Sequence, residues 1–458
     1  MSLILRPYQL KGIEDIRDAF RRGYSRPLYV APTGSGKSAL FSAIAHGAAS
    51  KGNRVLILSH RIELVDQISL ALTNAGTEHG FIAAGFPSTA RSCMIASVPS
   101  LLRRLNKAAD PQLIILDEAH HARAASWETI LARWPDAKVL GVTATPVRTS
   151  GEGLAKIFDT LICGPTVAEL TPEFLAPAQV WAPPTIDVSG LHMLHGDYVV
   201  SESEARANKP SVTGDAISHY RKHADALPAL AFCVSVKHAT DVAAQFRDAG
   251  YSAVMLKGGL DRQVRRAAVN DFRNGKIQLI SSCDLLTEGV DFPGAHVGIM
   301  LRPTQSLGLW RQMCGRLIRP CEGKSIAVIL DHAGNCARFG RPIDEPQWAL
   351  TYDETKKKRN ATLAAKICPK CWSANAARAF VCANCGERFR VAPRSEIEEQ
   401  DGELVEITAE MLEKRAARRE QGLAQSLESL RELARRKGYS LQWADHVFAA
   451  RQAKRARQ

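Results

Sequence analysis

The stretch APTGSGKS at residues 31–38 joins an apolar run, PLYV, to a helix-forming run. Glycines in such a turn let the backbone wrap closely around a phosphate, and the amide groups at the start of the helix point toward it. The ammonium group of Lys37 would reach the β- and γ-phosphates, and the hydroxyl of Ser38 would bind Mg²⁺. Ala31 stands where the strict pattern has glycine. We predict a site for ATP and Mg²⁺ that includes Thr33, Gly34, Ser35, Gly36, Lys37 and Ser38.

Two adjacent acids, Asp117 and Glu118, end the apolar run LIIL and open the sequence DEAH. A carboxylate at the tip of a strand can hold Mg²⁺ through its water shell, because this ion dehydrates reluctantly. Its neighbour can then polarise the water that attacks the γ-phosphate. We therefore predict that Asp117 is a magnesium ligand and that Glu118 is the general base. Taken without the phosphate loop, the same pair would only indicate a capped helix.

Four cysteines lie close together in two CxxC pairs, Cys368 with Cys371 and Cys382 with Cys385. Four thiolates fill the tetrahedral shell of Zn²⁺ and leave no position for a catalytic water, so the predicted zinc is structural. The alternative is a pair of redox-active CxxC motifs, which usually open a helix in a thioredoxin-like context that is absent here. Aromatic and basic residues around the cysteines, among them Trp372, Phe380 and Arg378, are consistent either with nucleic-acid contact or with a small core and its solvated rim.

Two blocks of alternating strand and helix patterns must position these residues. The first block contains the strand candidates PLYVAP, RVLILSH, CMIAS, LIILDEA and VLGVTAT, and the second contains ALAFCVS, YSAVMLKG, IQLISSC, HVGIMLRP and SIAVILDHA. Runs that are apolar on both faces and separated by helices indicate parallel sheets covered on both sides. In such sheets ligands bind at the carboxyl ends of the strands, where the phosphate loop and the acids lie.

Composition restricts the class of protein and of partner. The chain has 458 residues, a formal charge of +13 and a pI near 9.3, which favours a polyanionic partner and nucleic acid first. The other seven of its eleven cysteines are scattered and do not form a secreted disulfide framework. No long apolar segment indicates a membrane span or a signal peptide, so we expect a soluble, cytoplasmic protein without a membrane partner.

The order of motifs over residues 5–335 resembles that of superfamily 2 DEAD/DEAH-box helicases. The resemblance implies that Arg6 and Gln9, in RPYQ, recognise the adenine base. It implies that Gln312, Arg316 and Arg319, in QMCGRLIRP, form motif VI. The two arginines would then reach from a second lobe to the γ-phosphate of ATP held by the first lobe, where their fixed positive charge favours hydrolysis. A basic amphipathic helix that only touches solvent is the alternative for this stretch.

Further assignments rest on the same resemblance. Thr143 and Thr145, in TATP, would couple hydrolysis to lobe movement together with Gln312. Gly289 and Asp291 belong to a stretch that matches motif V and would contribute to the nucleotide site. The implied nucleic-acid contacts are Arg61, Ser97 and Thr287.

More narrowly, the stretch from MLRPTQS at 300–306 to LDHAGN at 330–335, followed by a cysteine cluster, resembles the RadD group of bacterial DNA-repair ATPases. This implies an ATPase that translocates on, remodels or unwinds DNA in repair or recombination, as a monomer, with recombination or single-strand-binding proteins as partners. An RNA helicase remains an alternative, because motor contacts are mainly to the backbone. So does a slow, nucleotide-switched clamp or scaffold, although a pure switch does not require Glu118, Arg316 and Arg319.

The predicted fold is α/β, with two tandem RecA-like P-loop lobes that have parallel sheets, a small zinc ribbon and a helical basic tail. The first lobe, at 1–165, binds ATP, and a connector at 166–208 rich in proline and glycine leads to the second lobe at 209–340. A linker at 341–366 follows, then a zinc ribbon with four cysteine ligands at 367–390. An acidic linker and a basic helical tail occupy 391–458.

Overall fold

The computed structural model describes residues 4–60, 62–87, 89–121, 124–147, 153–183, 186–194, 197–283, 292, 294–351, 364–389, 424 and 426–455. By its internal contacts the chain divides into two compact units, Met1–Arg390 and Val391–Gln458. No helix in the described ranges is long and apolar enough to cross a membrane.

The first lobe is a sheet with helices on both faces. Its strands are β1 (Pro27–Val30), β2 (Val55–Ser59), β3 (His79–Ile82), β4 (Cys93–Ser97), β5 (Leu113–Asp117), β6 (Lys138–Thr143) and β7 (Thr160–Cys163). Its helices are α1 (Pro7–Arg21), α2 (Lys37–Ala49), α3 (Ile62–Asn74), α4 (Val98–Leu102) and α5 (Ala124–Arg133). The strands pair in parallel in the order β3-β4-β2-β5-β6-β1-β7.

Neighbouring residues of one strand belong to two different cores. Leu28 and Val30 lie with α4 and α5, whereas Tyr29 lies on the other face with α1, α2 and α3. Both faces of the sheet are therefore buried, which is why these strands are continuously apolar and do not alternate between apolar and polar residues. The prediction of a parallel sheet covered on both sides is confirmed.

The second lobe repeats this architecture. Its strands are β8 (Ala178–Trp181), β11 (Ala229–Phe232), β12 (Ala253–Met255), β13 (Leu279–Ser282), β14 (Val297–Met300) and β15 (Ala327–Asp331), and a hairpin of β9 (Met193–Leu194) and β10 (Asp197–Tyr198) lies beside them. Its helices are α6 (Val167–Leu170), α7 (Val200–Ala207), α8 (Pro210–Ala224), α9 (Val236–Asp248), α10 (Arg262–Arg273), α11 (Leu307–Leu317) and α12 (Asn335–Phe339). The sheet is parallel, in the order β12-β13-β11-β14-β15-β8.

The predicted connector differs from the structure, because part of it belongs to the second lobe. Strand β8 pairs with β15 at the edge of the sheet, with Val180 buried in the core. This run of four residues lies between prolines and is too short for its hydrophobic pattern to distinguish a strand from a loop. The hairpin is also tied to this lobe, since the Asp197 carboxylate accepts hydrogen bonds from Thr304 Oγ1 at 2.8 Å and from the Gln305 amide at 2.7 Å.

The predicted linker also begins as packed structure. Trp348 packs against the cores of both lobes, and Leu350 packs against the core of the first. Arg341 and Asp344 fold the start of this segment through an ion pair of 2.8 Å. The part of the predicted linker at 352–363 lies outside the described residues.

The cysteine module contains a short antiparallel pair, β16 (Lys366–Ile367) and β17 (Ala374–Asn375). It docks on edge strand β8. The Ala182 amide donates to the Trp372 carbonyl at 2.9 Å, and Trp181 and Ser373 form an antiparallel bridge. Ile367 and Ala374 pack against a core of the second lobe. The module is therefore mounted on that lobe rather than suspended from a linker.

The unit Val391–Gln458, by itself, contains two described helices, Leu427–Lys437 and Leu441–Arg455. The first ends at Gly438, whose φ of 71° is easily adopted by glycine. The two helices pack through Leu430, Ala434 and Ala444 and are joined by an ion pair between Arg431 and Asp445 at 2.8 Å. A helical tail was predicted and is present. The acidic stretch around 394–410 lies outside the described residues.

Candidate functional site

The glycine-rich loop connects the carboxyl end of β1 to the first turn of α2, as predicted. Gly34 and Gly36 have φ values of 92° and 75°, in the left-handed region that favours glycine. The ammonium group of Lys37 is buried inside the loop and donates to the carbonyls of Ala31 and Pro32 at 3.0 and 3.1 Å. Ser38 follows on the helix. The turn therefore brings a buried cation, a hydroxyl and helix-start amide groups to one point, which is the donor set that a nucleotide phosphate requires.

The amino-terminal RPYQ element makes hydrogen bonds to the backbone of this loop. The Gln9 amide donates to the carbonyls of Ser35 and Gly36 at 3.1 and 3.2 Å, and its oxygen accepts from the Arg6 amide at 2.9 Å. The Tyr8 hydroxyl also donates to Ser35 O at 2.9 Å. Both hydrogens of the Gln9 amide are thus used by the loop. Gln9 was predicted to recognise the base; in the structure it positions the loop backbone, and it would have to leave these bonds to bind an adenine.

The acids Asp117 and Glu118 follow β5 at the same edge of the sheet. Asp117 is buried, and one of its oxygens accepts from the Glu118 amide at 3.1 Å. Glu118 has a φ of 47°, an unusual backbone conformation for a residue with a Cβ that costs about 1–3 kcal/mol and concentrates at functional sites. The turn directs the Glu118 side chain to the neighbourhood of His120, whose Nδ1 lies 3.4 Å from Glu118 Oε2.

Helix α11 of the second lobe lies directly on these first-lobe elements. A Cβ added to Gly308 would lie 3.3 Å from Thr145 Oγ1, and one added to Gly315 would lie 2.3 Å from Thr33 Cβ. Between them, Gln312 Nε2 lies 2.9 Å from His120 Nε2. The spacing of four and three residues places all three on one face of the helix. The helix therefore contacts the TATP sequence, the DEAH sequence and the phosphate loop in turn.

Arg319 continues this line of contacts beyond the helix. A Cβ added to Gly34 would lie 3.2 Å from Arg319 Cγ, so the arginine stem covers the phosphate loop. Arg316 and Arg319 are three positions apart, a spacing that predicts one face of one helix, but α11 ends at Leu317 and Arg319 follows its last turn. Lys324 closes that end, where it donates to the carbonyls of Leu317 and Arg319. Arg316 lies on the helix with a half-buried side chain.

The charged groups around Lys37 come from three separate motifs. Burial lowers the pKa of Lys37, the carboxylates of Glu118 and Asp117 raise it, and the positive charge of Arg319 lowers it further, with a net lowering. Asp117, Glu118 and Arg319 therefore all lie close enough to Lys37 for their charges to change its pKa. The sequence predicted this convergence from residues that lie up to 282 positions apart.

His120 was missing from the predicted site and proves to connect its parts. The imidazole is buried, with Nδ1 at 2.8 Å from Thr143 Oγ1 and Nε2 at 2.9 Å from the Gln312 amide nitrogen. Because that nitrogen can only donate, Nε2 accepts and Nδ1 carries the proton. Thr143 in turn donates to the Thr145 carbonyl at 2.9 Å. In the sequence, His120 is marked only as the histidine of DEAH. Its role as a bridge becomes visible once the second lobe places Gln312 beside it.

A second bridge holds the far side of α11. The Arg311 guanidinium donates to the carbonyls of Pro342, at 3.0 Å, and Asp344, and it lies 3.8 Å from the Glu345 carboxylate. Glu345 also accepts from the Val167 amide at 2.9 Å. Burial raises the pKa of Glu345 despite the neighbouring Arg311. The segment after the second lobe is thus fixed to the motif VI helix.

Other predicted residues are not brought into this site. Ser97 ends β4 with its side chain buried, so it does not face solvent as a nucleic-acid contact would. Arg61, Thr287, Gly289 and Asp291 lie outside the described residues. A separate groove of about 930 Å³, lined by Trp134 among others, opens where β5 and β6 begin and thus at the opposite edge of the sheet from the phosphate loop.

Comparisons with known proteins agree with this geometry. The family model "Type III restriction enzyme, res subunit" matches residues 2–148, and "Helicase conserved C-terminal domain" matches residues 212–321. A 51.5 kDa protein of a Lactococcus phage (isolate 7-9) is 35% identical over 382 residues, which cover 83% of this chain and 82% of that protein. The chain belongs to superfamily 2 of the helicases. It is an ATP-hydrolysing member of that superfamily.

Other relatives of this helicase are more distant. A Schizosaccharomyces pombe protein named for a mitochondrial ATP-dependent helicase, irc3, is 28% identical over 382 residues, covering 78% of this chain and 62% of that protein. The structure of the ATP-dependent Type ISP restriction-modification enzyme LlaBIII bound to DNA superposes with a TM-score of 0.54 and 18% identity, over 71% of this chain and 27% of that one. At that identity the likeness shows the fold alone.

The cysteine cluster of the helicase has the geometry of a metal centre. All four Sγ atoms lie within 4.8 Å of one another, with 3.6 Å between Cys368 and Cys385 and 3.7 Å between Cys371 and Cys382. A tetrahedron with Zn–S bonds of about 2.3 Å has edges of roughly 3.8 Å, so the cluster fits Zn²⁺. Burial raises the pKa of the Cys382 thiol, but hydrogen bonds from the amide groups of Cys385, Asn384 and Asn375 and from Cys371 outweigh it and lower the pKa, whereas hydrogen bonds with the neighbouring thiols raise the pKa of Cys385. The hydrogen bonds to Cys382 favour the thiolate that binds metal.

Purified helicase should carry about one zinc per chain, since the described residues contain one group of four ligands with this geometry. Elemental analysis of reduced protein, prepared without chelators, measures the content. Cys368→Ser and Cys385→Ser should each lower it strongly, whereas Cys163→Ser, an exposed cysteine outside the cluster, should not. Iron in place of zinc, or no metal in the wild type, would contradict the assignment.

Removing the contact between Gln312 and His120 should uncouple the lobes. We expect Gln312→Ala and His120→Ala each to lower nucleic-acid-stimulated turnover about tenfold, the effect of one buried hydrogen bond of about 1–1.5 kcal/mol. Because His120→Ala already removes the bond to Gln312, the double variant should be little worse than His120→Ala alone. Gln263→Ala, at an exposed position of α10, is the matched control. Fully additive effects would show that the two side chains act separately.

Proposed function

We propose that this helicase is a DNA-dependent ATPase that translocates on, remodels or unwinds DNA and acts in repair or recombination. The observation that carries the proposal is the line of contacts from α11 to the TATP sequence, the DEAH sequence and the phosphate loop. One helix of the second lobe thus contacts three sequence motifs of the first lobe. A helix placed in this way makes hydrolysis depend on how the two lobes are held together.

We propose the following residue roles for this arrangement. Lys37 would bind the β- and γ-phosphates of ATP, and Ser38 and Asp117 would hold Mg²⁺, which neutralises phosphate charge when bound. Glu118 accepts a proton from the attacking water as the new bond to the γ-phosphorus forms and the bond to the β–γ bridging oxygen breaks. Arg316 and Arg319 stabilise the negative charge that shifts to the leaving ADP. Thr143, Thr145, His120 and Gln312 connect this step to the second lobe.

Two features support DNA as the polymer. The net charge of +13 favours a polyanion. The resemblance to RadD proteins, carried by residues 300–306 and 330–335, supports a place in DNA repair or recombination.

The test is the ATPase rate measured side by side with single-stranded DNA, duplex DNA, forked DNA and RNA of matched length. We expect at least one DNA to stimulate turnover and RNA to stimulate it less. Lys37→Ala protein purified in parallel controls for contaminating ATPases. Stronger stimulation by RNA would assign the motor to RNA. Turnover that no polymer changes would exclude a nucleic-acid-dependent enzyme.

A further inference from the structure

The zinc module exposes an apolar and aromatic surface that neither lobe covers. Phe380 is 72% exposed and Val381 is 47% exposed. Val381 forms a bridge with Arg388, and the Phe389 amide donates to the Phe380 carbonyl at 2.9 Å, so these residues lie on one small hairpin. Hydrophobic side chains of this size are usually buried, particularly where a module has few of them. We name Arg378, Phe380, Val381 and Arg388 the ribbon face.

The charge of this surface is positive. Residues 364–389 contain the cations Lys366, Lys370, Arg378 and Arg388 and one carboxylate, Glu387, which lies 3.8 Å from Lys370. Arg378 and Arg388 are both exposed and have no carboxylate within ion-pair distance among the described residues. A zinc tetrathiolate carries a formal charge of −2, but Cys368 and Cys382 are buried and the side-chain amide of Asn375 covers Cys382 Sγ at 3.5 Å. The outward charge is therefore that of the two arginines.

The ribbon face is held rigidly to the second lobe. Gln179 of β8 donates to Asn384 at 3.4 Å, in addition to the backbone bonds of Ala182 and Trp181. Lys366 donates to the Ala379 carbonyl at 2.9 Å, and its ammonium lies 5.0 Å from the centre of the Phe389 ring. A ligand bound here would move with the lobe that carries Arg316.

We propose that the ribbon face binds an unpaired nucleic-acid strand, with Phe380 stacking on a base while Arg378 and Arg388 contact phosphates. The module combines an exposed ring with two exposed arginines, and it thus offers a stacking surface and backbone neutralisation, the two components of sequence-independent single-strand binding. The inference rests on the proposed function. It adds a second grip on the polymer, outside the two lobes, that travels with the second lobe during each ATP cycle.

The test is the affinity of the full chain for fluorescent oligothymidine and oligouridine, measured by anisotropy at several salt concentrations. Phe380→Ala should weaken binding about tenfold, the effect of one base–aromatic contact. Phe380→Leu keeps the apolar character without the ring and should weaken binding similarly, whereas Phe380→Tyr should bind as the wild type does. Arg378→Gln and Arg388→Gln should each reduce the slope of log affinity against log salt by about 1.

Controls separate this inference from folding and from the proposed function. Tyr24→Ala removes an exposed aromatic side chain of the first lobe and should not change affinity, and zinc content and basal ATPase should match the wild type in every variant. Wild-type binding that Phe380→Ala and Phe380→Leu leave unchanged overturns the ribbon proposal alone. A wild type that binds neither polymer overturns the proposed function with it. Concentration-dependent dimerisation that Phe380→Ala abolishes, with unchanged nucleic-acid affinity, would assign the face to a second copy of the chain and overturn the proposal.

Discussion

Replacing Arg316 with alanine should leave nucleotide affinity nearly intact and lower ATP turnover by about 10³-fold or more. Affinity should survive because Lys37 and the loop amides that hold the phosphates belong to the first lobe, on β1 and α2. Turnover should fall because the arginine comes from α11 of the second lobe and its charge counts most as negative charge moves to the leaving group. Nucleic acid should stimulate the wild type and should fail to rescue this variant.

The measurement is ATPase rate against DNA concentration, with nucleotide affinity determined separately by titration of a fluorescent nucleotide. Arg266→Ala, on exposed α10 of the same lobe, is the matched control for losing one arginine. Arg319→Ala should resemble Arg316→Ala in turnover but affect nucleotide affinity more, because the Arg319 stem covers Gly34 and its charge acts on Lys37. An Arg316→Ala protein that DNA restores to normal turnover would place Arg316 away from the phosphate.

The sequence predicted the elements that have strong local signals. All ten strand candidates of the two blocks are strands in the structure, because each is an apolar run unlike its surroundings, and all but the edge strand β12 are largely buried on both faces. Strands β3, β7 and β8 were not predicted. Their burial is only partial, as in the half-buried Thr160, Leu161 and Ile162 of β7, and their sequences lack that contrast. The edge of a sheet is where pattern is weakest and tertiary context decides.

The site shows the same limit in side chains. Residues with an irreplaceable chemistry, such as Lys37 and the four zinc ligands, were found from type and spacing alone. His120 was missed because its significance lies in its contact across the cleft with Gln312, and Arg311 was missed because its partner Glu345 lies in the segment that follows the second lobe. Gln9 was found, but its hydrogen bonds are made to the loop backbone. The hydrogen-bond partner of a polar side chain depends on the tertiary structure, which a local sequence pattern does not determine.

Lys37→Ala and Glu118→Gln should both abolish most turnover, and they should do so by different routes. Lys37→Ala removes the buried ammonium group inside the phosphate loop, so ATP binding and hydrolysis should be lost together. Glu118→Gln keeps the shape of the side chain at a backbone position with a φ of 47° but cannot accept a proton. Loss of a general base costs about 10²–10⁴-fold in rate, while the phosphate contacts of Lys37 remain.

Glu118→Gln should therefore accumulate as a complex with ATP and nucleic acid, whereas Lys37→Ala should not. Single-turnover hydrolysis measures the chemical step, and retention of labelled ATP on a column together with DNA measures the trapped complex. Glu128→Gln, an exposed acid on α5 of the same lobe, controls for the loss of one negative charge. Wild-type hydrolysis by Glu118→Gln would show that another group accepts the proton. His120 cannot be that group while it keeps its present hydrogen bonds, because its Nδ1 donates to Thr143 and its Nε2 accepts from Gln312. It could accept the proton only after one of these bonds breaks. The variant His120→Ala in the Glu118→Gln background would decide that case, since a drop much larger than the tenfold loss expected for His120→Ala alone appears only if the imidazole has taken over the role.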